Sequence, residues 1–402
     1  MKPKYERETL KQYNNFYNAM EVLEYIKNRS VPSIGLLTRA YGQSKAGIIQ
    51  EIFENYFDVN FKPWLKVREH DYTAPDEVFS ARTNLEEDEN YQRIHASILY
   101  NVVPDLEDLR KFYGPYSESV KKIFEQYIYL QLKRKCNISS ASHLNRVGGV
   151  AIELNFNVAG CFEYGAIAAM HDAIEDLLPL ARDGYRRKYD IENYKEFLDE
   201  YIPFVLQPYV KTLTNHYDLI LGYTIRYLRE KDRFINISNI LEVLEMLISK
   251  RLDEIDEYII ELHSVLINSE FDEEQDLIDQ IKWKCYKDLY LKGIAEKSIK
   301  DSNYRLFEIK GIDLSDNFHG KDSLSIDGKI RSMNKNIIWG KLGYGFHSTW
   351  TPLNNHIREA IEEVYISAEN IILRDLFEPQ STLDFITATL IKFSLLEEVF
   401  YI

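Results

Sequence analysis

The amino-acid sequence predicts an all-α protein, and three observations carry that expectation. Apolar residues recur at three- and four-residue spacing through most of the chain, the period of one helix face. Strand–helix–strand alternation is absent, which removes a doubly wound sheet. No fixed-period repeat is evident, which removes a repeat array. At 402 residues and 45% hydrophobic content, the chain has the length for two or three domains and the apolar content of a globular protein.

The elements follow in order. Over residues 8–27, Leu10, Tyr13, Phe16, Tyr17, Met20, Leu23 and Ile26 mark an amphipathic helix. Residues 33–57 read as a helical pair broken at Gly42-Gln43-Ser44, a packing element rather than a DNA-reading helix-turn-helix in so acidic a chain. Residues 59–90, with Pro63, Pro75 and many charges, read as loop-rich. Helices are expected over 117–133, 148–156, 165–181, 194–215, 218–229, 237–268 and 273–300. Residues 303–348 read as irregular, with short strands at 304–309 and 336–339, and its basic segment 320–341 as a solvated loop. Two amphipathic helices, 353–376 and 382–400, complete the reading. The expected organisation is a helical N-terminal region (1–115), a central helical domain (116–300) and a mostly helical C-terminal region (301–402).

Bulk properties limit the function. A net charge of −15 argues against a nonspecific duplex-binding surface, which needs clustered Lys and Arg, but one basic pocket could still take a small anion. The 29 Tyr and 20 Phe are spread along the chain, so packing explains them. Cys136, Cys161 and Cys285 are far apart and form no CxxC pair, which speaks against a disulfide framework or zinc ribbon and for buried thiols in a reducing compartment. Met1-Lys2-Pro3-Lys4 leads into polar sequence, and no run of about 18 apolar residues occurs, so the expectation is a cytoplasmic protein without a membrane span. GxxxxGK[ST], GxGxxG and GxSxG are all absent.

One segment stands out chemically. Gly165-Ala166-Ile167-Ala168-Ala169-Met170 is small and apolar, as a deeply packed helix requires, and His171, Asp172, Glu175 and Asp176 follow directly. In a helix His171 lies over Glu175 and Asp172 over Asp176. Charge placed there is costly unless a bound divalent cation offsets it, the alternative being a solvated helix end. His143 upstream and Asp232 downstream complete a set of two imidazoles and two carboxylates, which suits manganese, iron or zinc. Such an ion acidifies water and offsets phosphoryl charge, while Glu175 or Asp176 would take or orient the proton.

The order H…HD…D resembles the signature of the HD phosphohydrolase superfamily. The fuller resemblance is to the hydrolase domain of Rel/SpoT-type proteins and small alarmone hydrolases. It is carried by Arg134-Lys135, His143-Leu-Asn-Arg-Val147, His171-Asp-Ala-Ile-Glu-Asp176, Val210-Lys-Thr-Leu-Thr214 and Lys231-Asp-Arg-Phe-Ile-Asn236. The resemblance implies one manganese ion on His143, His171, Asp172 and Asp232, with Glu175 and Asp176 activating the attacking water. It further implies that Arg134, Lys135, Thr214 and Asn236 line the substrate pocket, with Lys211 and Arg233 as further phosphate contacts. The implied activity is removal of the 3′-pyrophosphate from (p)ppGpp, a guanosine polyphosphate. The chain differs from the family around Arg134-Lys135, where Leu132-Lys133 precedes and Cys136-Asn137-Ile138-Ser139 follows, in the loop that recognises base and ribose. Another nucleotide substrate, or a non-catalytic nucleotide sensor, therefore stays open beside it. Gly343-Tyr344-Gly345-Phe346-His347-Ser348-Thr349 is weakly similar to a synthetase segment, but too few residues follow Lys300 for that domain. The remaining histidines form no ligand-spaced pair, although His216 follows Thr214 and could approach the pocket. Amphipathic terminal helices are also compatible with a homo-oligomer.

Overall fold

The structure is a computed structural model. It describes residues 33–41, 77–134, 139–156, 159–179, 189–271, 277–300 and 304–319, with isolated positions at 46–47, 50, 182–183, 186–187, 335, 338–339 and 342. The expected helices at 8–27, 353–376 and 382–400, Lys135, and residues 343–349 lie outside the described residues. The chain divides into two compact units, residues 1–74 with 317–402, and Pro75–Asp316. In the first, α1 (Ile34–Tyr41) buries Leu36 and Leu37. The second begins before the expected boundary at 116 and runs past the one at 300.

The second unit is helical, as the sequence predicts. It opens with α2 (Glu77–Glu87), α3 (Glu89–Leu99), α4 (Leu106–Tyr113) and α5 (Ser117–Tyr129). Asp88 caps α3, its carboxylate accepting from the Tyr91 N–H at 2.7 Å, and Asp105 caps α4 in the same way through the Glu107 N–H. Such caps satisfy amides that have no partner inside the helix. Tyr91, Ile94, Ile98, Tyr113, Phe124 and Tyr127 bury the inner faces of these helices.

Next come α6 (Ser140–Leu154) and α7 (Cys161–Met170), which form the centre of the unit. From Ser140 to Ile152 every residue of α6 except Arg146 is buried. A helix apolar on nearly all sides is one enclosed by its neighbours. The two helices cross at glycines. A methyl group added at Gly165 would lie 2.2 Å from Ile152 Cγ1, and one at Gly148 would lie 3.0 Å from the Gly165 carbonyl oxygen. This close crossing holds His143, on the first turn of α6, near His171, just past the last turn of α7.

The expected helix over 165–181 is interrupted at His171-Asp172, and α8 (Ala173–Leu177) follows. Two-residue strands β1 (Arg182–Asp183) and β2 (Arg186–Arg187) then pair antiparallel. The expected helix over 194–215 is divided into α9 (Tyr194–Tyr201) and α10 (Gln207–Leu213), because Pro203 has no amide to continue the ladder. Following these are α11 (His216–Glu230), α12 (Ile237–Lys250) and α13 (Asp256–Asn268). Arg251, at φ 51°, ends α12 in the left-handed region and divides the expected helix over 237–268. α14 (Leu277–Cys285) continues through a π-helical segment, Tyr286–Leu291, into α15 (Lys292–Lys300).

The largest departure is α16 (Tyr304–His319), which replaces the expected strand at 304–309 and the first part of the expected irregular stretch. Leu306, Phe307, Ile309, Lys310, Ile312, Asp313, Leu314 and Asp316 are all buried. Protein therefore encloses this helix on several sides, which erases the one-sided stripe by which a helix is read. Gly311 and the β-branched isoleucines weaken its helical propensity further.

Candidate metal centre

Three separate stretches of chain meet at one point. The first turn of α6 supplies His143, the α7–α8 break supplies His171 and Asp172, and α16 supplies Asp313. One ligand atom from each lies within 4.8 Å of the others. His143 Nε2 is 3.2 Å, and His171 Nε2 3.3 Å, from the same oxygen, Asp313 Oδ1. Asp172 Oδ1 lies 3.1 Å from His171 Nε2, and Asp172 Oδ2 lies 3.7 Å from His143 Nε2. The imidazoles meet edge to face, 5.4 Å between centroids.

Which ring nitrogen faces the cluster is decided on the far side of each ring. His171 Nδ1 is 2.6 Å from the Ala168 carbonyl oxygen, which can only accept, so Nδ1 carries the hydrogen. His143 Nδ1 is 2.7 Å from Asp316 Oδ2. Arg146 holds that carboxylate in a fork, its Nε 2.9 Å from Oδ1 and an Nη 2.9 Å from Oδ2, which keeps Asp316 ionised and accepting. Both Nε2 atoms are thus turned inward. They are buried and, among the described residues, make no hydrogen bond, although carboxylate oxygens are close. Two lone pairs facing carboxylate oxygens repel unless a cation lies among them, and two imidazoles with two carboxylates form a set that suits zinc, manganese or iron. The residues present fit a divalent ion.

Without one, His171 draws a proton in its place. Burial alone would lower the pKa of His171, but the charges of Asp172 and Asp313 override it and raise it to about 10. Burial also opposes ionisation of Asp172, yet His171 and Arg134 hold it well below the usual carboxylate range. Asp313 is depressed likewise, by Lys310 and His171, and Asp316 by His143 and Arg146. Each inner carboxylate also has a cation on an oxygen. An Arg134 Nη donates to Asp172 Oδ2 at 3.1 Å, and Lys310 Nζ donates to Asp313 Oδ2 at 2.6 Å.

Glu175 and Asp176 project from α8 beside the cluster. The Asn215 N–H donates to Glu175, and Tyr127 Oη donates to Asp176 Oδ2 at 2.9 Å. Burial and the Asp172 charge push Glu175 up to about 8 and Asp176 up to about 6. Both are therefore carboxylates able to exchange a proton near neutrality, next to three that stay ionised.

The structure brings together His143, His171, Asp172, Glu175, Asp176 and Arg134 from the residues singled out in sequence. It does not bring Asp232 among them. Asp232 is exposed just past α11 at φ 51°, a helix-end position that Asp tolerates better than most residues. Asp313 completes the group instead. Asn236 caps α12, its side chain accepting from the Asn239 N–H at 2.8 Å. The Thr214 hydroxyl donates to the Val210 carbonyl, so this segment reaches the centre through the Asn215 amide. Lys211 pairs with Glu254, and Arg233 with Glu242. His216 is 2.5 Å from Tyr194 Oη, stacks on Tyr258 and has its pKa pushed down to about 3 by burial, a packed neutral histidine.

Asp313 and Asp316 escaped sequence reading, although Lys310, Asp313 and Asp316 recur at three-residue spacing, as one helix face does. Compared with protein-family models, curated proteins and solved structures, the chain matches none of them.

Proposed function

We propose that this protein is a metal-dependent phosphohydrolase acting on a nucleotide, with the 3′-pyrophosphate of (p)ppGpp as the first substrate to test. The observation that carries the reading is the pair of inward-facing, buried Nε2 atoms against Asp172 and Asp313, with the carboxylates of Glu175 and Asp176 beside them. His143, His171, Asp172 and Asp313 would hold the ion, with manganese the first candidate. When bound, such an ion acidifies a water molecule and offsets the charge of a transferring phosphoryl group.

The chain's own groups do the rest. Asp176, held by Tyr127, takes the proton from the attacking water as its oxygen bonds to phosphorus. Glu175, fixed by the Asn215 amide, orients that water. The bond from phosphorus to the leaving oxygen breaks on the opposite side, and no bond to the protein forms. Arg134, beside Asp172, is placed to meet the anionic substrate.

The test is purified full chain with Mn2+ and a nucleotide panel that includes ppGpp, with products followed by chromatography. Pyrophosphate released from ppGpp, and lost in Asp172→Ala and Asp313→Asn, is the expected result. Turnover of a different nucleotide retains the chemistry and replaces the substrate. A protein that binds neither Mn2+ nor any other divalent ion overturns the reading.

A further inference from the structure

Lys310 lies one turn before Asp313 on α16 and is 6% exposed. Its Nζ donates to Asp313 Oδ2, while the other oxygen, Oδ1, meets both histidines. Among the described residues Asp313 is its one hydrogen-bond acceptor. The face of the Tyr290 ring lies 5.0 Å from Nζ. An ammonium carries three donors, and a buried polar group is costly unless its capacity is used. Lys310 therefore keeps donor capacity unused beside the centre.

The surroundings hold it there. The π-helical segment Tyr286–Leu291 passes the site, and such wide turns inside helices are frequent at functional positions. It sets the rings of Tyr286 and Tyr290 5.4 Å apart, and Tyr290 Oη donates to the Leu213 carbonyl, fixing the ring that faces Lys310. Charge balance supplies the remaining argument. Asp316 is matched by Arg146, and a divalent ion would match Asp172 and Asp313. Once an ion shares the charge of Asp313, Lys310 can turn its remaining donors to an anion arriving at the centre, while Arg134 stays on Asp172.

We propose that Lys310 is a substrate-binding residue, whose free N–H donors engage a phosphoryl oxygen of the ligand while the ion occupies the His143–His171–Asp172–Asp313 site. This rests on the phosphohydrolase reading and adds to it a second anchor for phosphate, on α16 rather than in the non-helical segment that carries Arg134. The alternative role is purely internal, the neutralisation of Asp313.

The test uses the full chain, with Mn2+ alone and then inorganic phosphate as probes in calorimetry. Wild type and Lys310→Gln should bind Mn2+ within a few-fold of each other, because the ion itself compensates Asp313. Phosphate binding by the Mn2+-loaded Lys310→Gln should weaken about tenfold or more, the loss of a charge-assisted hydrogen bond. Lys310→Arg should restore most of it. Equal phosphate affinity in wild type and Lys310→Gln, both Mn2+-loaded, overturns the proposal and leaves the centre standing. Loss of Mn2+ binding in Lys310→Gln also overturns it, assigning Lys310 to Asp313 alone. Failure of the wild type to bind Mn2+ instead removes the centre, and the proposal with it. Should Lys310→Gln fail to fold, 15N-lysine NMR of the wild type decides. The ammonium resonance missing from Lys310→Arg should shift on adding phosphate, and its failure to move refutes the contact.

Discussion

Asp316 shows how much of a centre lies outside its ligands. It touches the unused nitrogen of His143, is itself gripped by Arg146, and so fixes both the ring's orientation and its tautomer. Partners of this kind typically account for 10- to 100-fold in metal affinity. Asp316→Asn should therefore weaken Mn2+ binding by about 10–100-fold while Asp172, Asp313 and His171 remain in place, as read by competition with a fluorescent chelator. An unchanged affinity would show that packing alone orients His143. Glu175 gives a second expectation, in the metal-free protein. Burial and Asp172 raise it from 4.5 to about 8, so the folded state holds its proton more tightly than the unfolded state does. Its contribution is thus fully present below about pH 4.5 and is lost as pH rises through about 8. Glu175→Gln should flatten the fall of the urea midpoint between pH 5 and pH 8; a slope identical to wild type would reject the assignment.

At the scale of elements, the crossing of α6 and α7 sets the distance between the two histidines. Gly165 has no room for a methyl group beside Ile152 and the Gly148 backbone. Gly165→Ala should cost about 1–3 kcal/mol of stability by overpacking and lower Mn2+ affinity as His143 and His171 move apart. Denaturant unfolding and chelator competition on the same sample check both effects. The sequence already pointed to a deeply packed helix ending in the site, because charges placed directly after a small apolar stretch have few explanations, but not to the helix that crosses it. It could not point to α16. That helix is enclosed on several sides, carries Gly311 and lacks a one-sided stripe, so its buried carboxylates read as part of a loop. Asp232 was the corresponding false lead. An Asp followed directly by Arg233 and, four residues on, by Asn236 resembles a ligand in one dimension, whereas here it occupies a left-handed helix end in the open. Helix interruptions at His171-Asp172 and Arg251 were equally hidden, since neither carries a glycine or proline.

For the whole molecule, an ion held at the proposed centre would link binding to folding. Ligands from α6, the α7–α8 break and α16 join parts of the Pro75–Asp316 unit that are far apart in sequence. An ion that binds only the folded chain stabilises it by about 2.7 kcal/mol at a concentration 100 times its dissociation constant. Thermal unfolding should accordingly shift upward on adding Mn2+ and return with EDTA, and Asp313→Asn should abolish the shift. An Mn2+ effect of equal size in that variant would place the ion elsewhere.

The position of α16 also imposes an order on biosynthesis. A ribosome that has released residues up to Lys300 has delivered both histidines, Asp172, Glu175 and Asp176, but neither Asp313 with its partner Lys310 nor Asp316, the partner of His143. The growing chain at that stage has both imidazoles but neither the carboxylate they share nor the one that orients His143. Competence to hold the ion is thus withheld until nearly the entire Pro75–Asp316 unit has emerged, and a chain interrupted earlier is born without it.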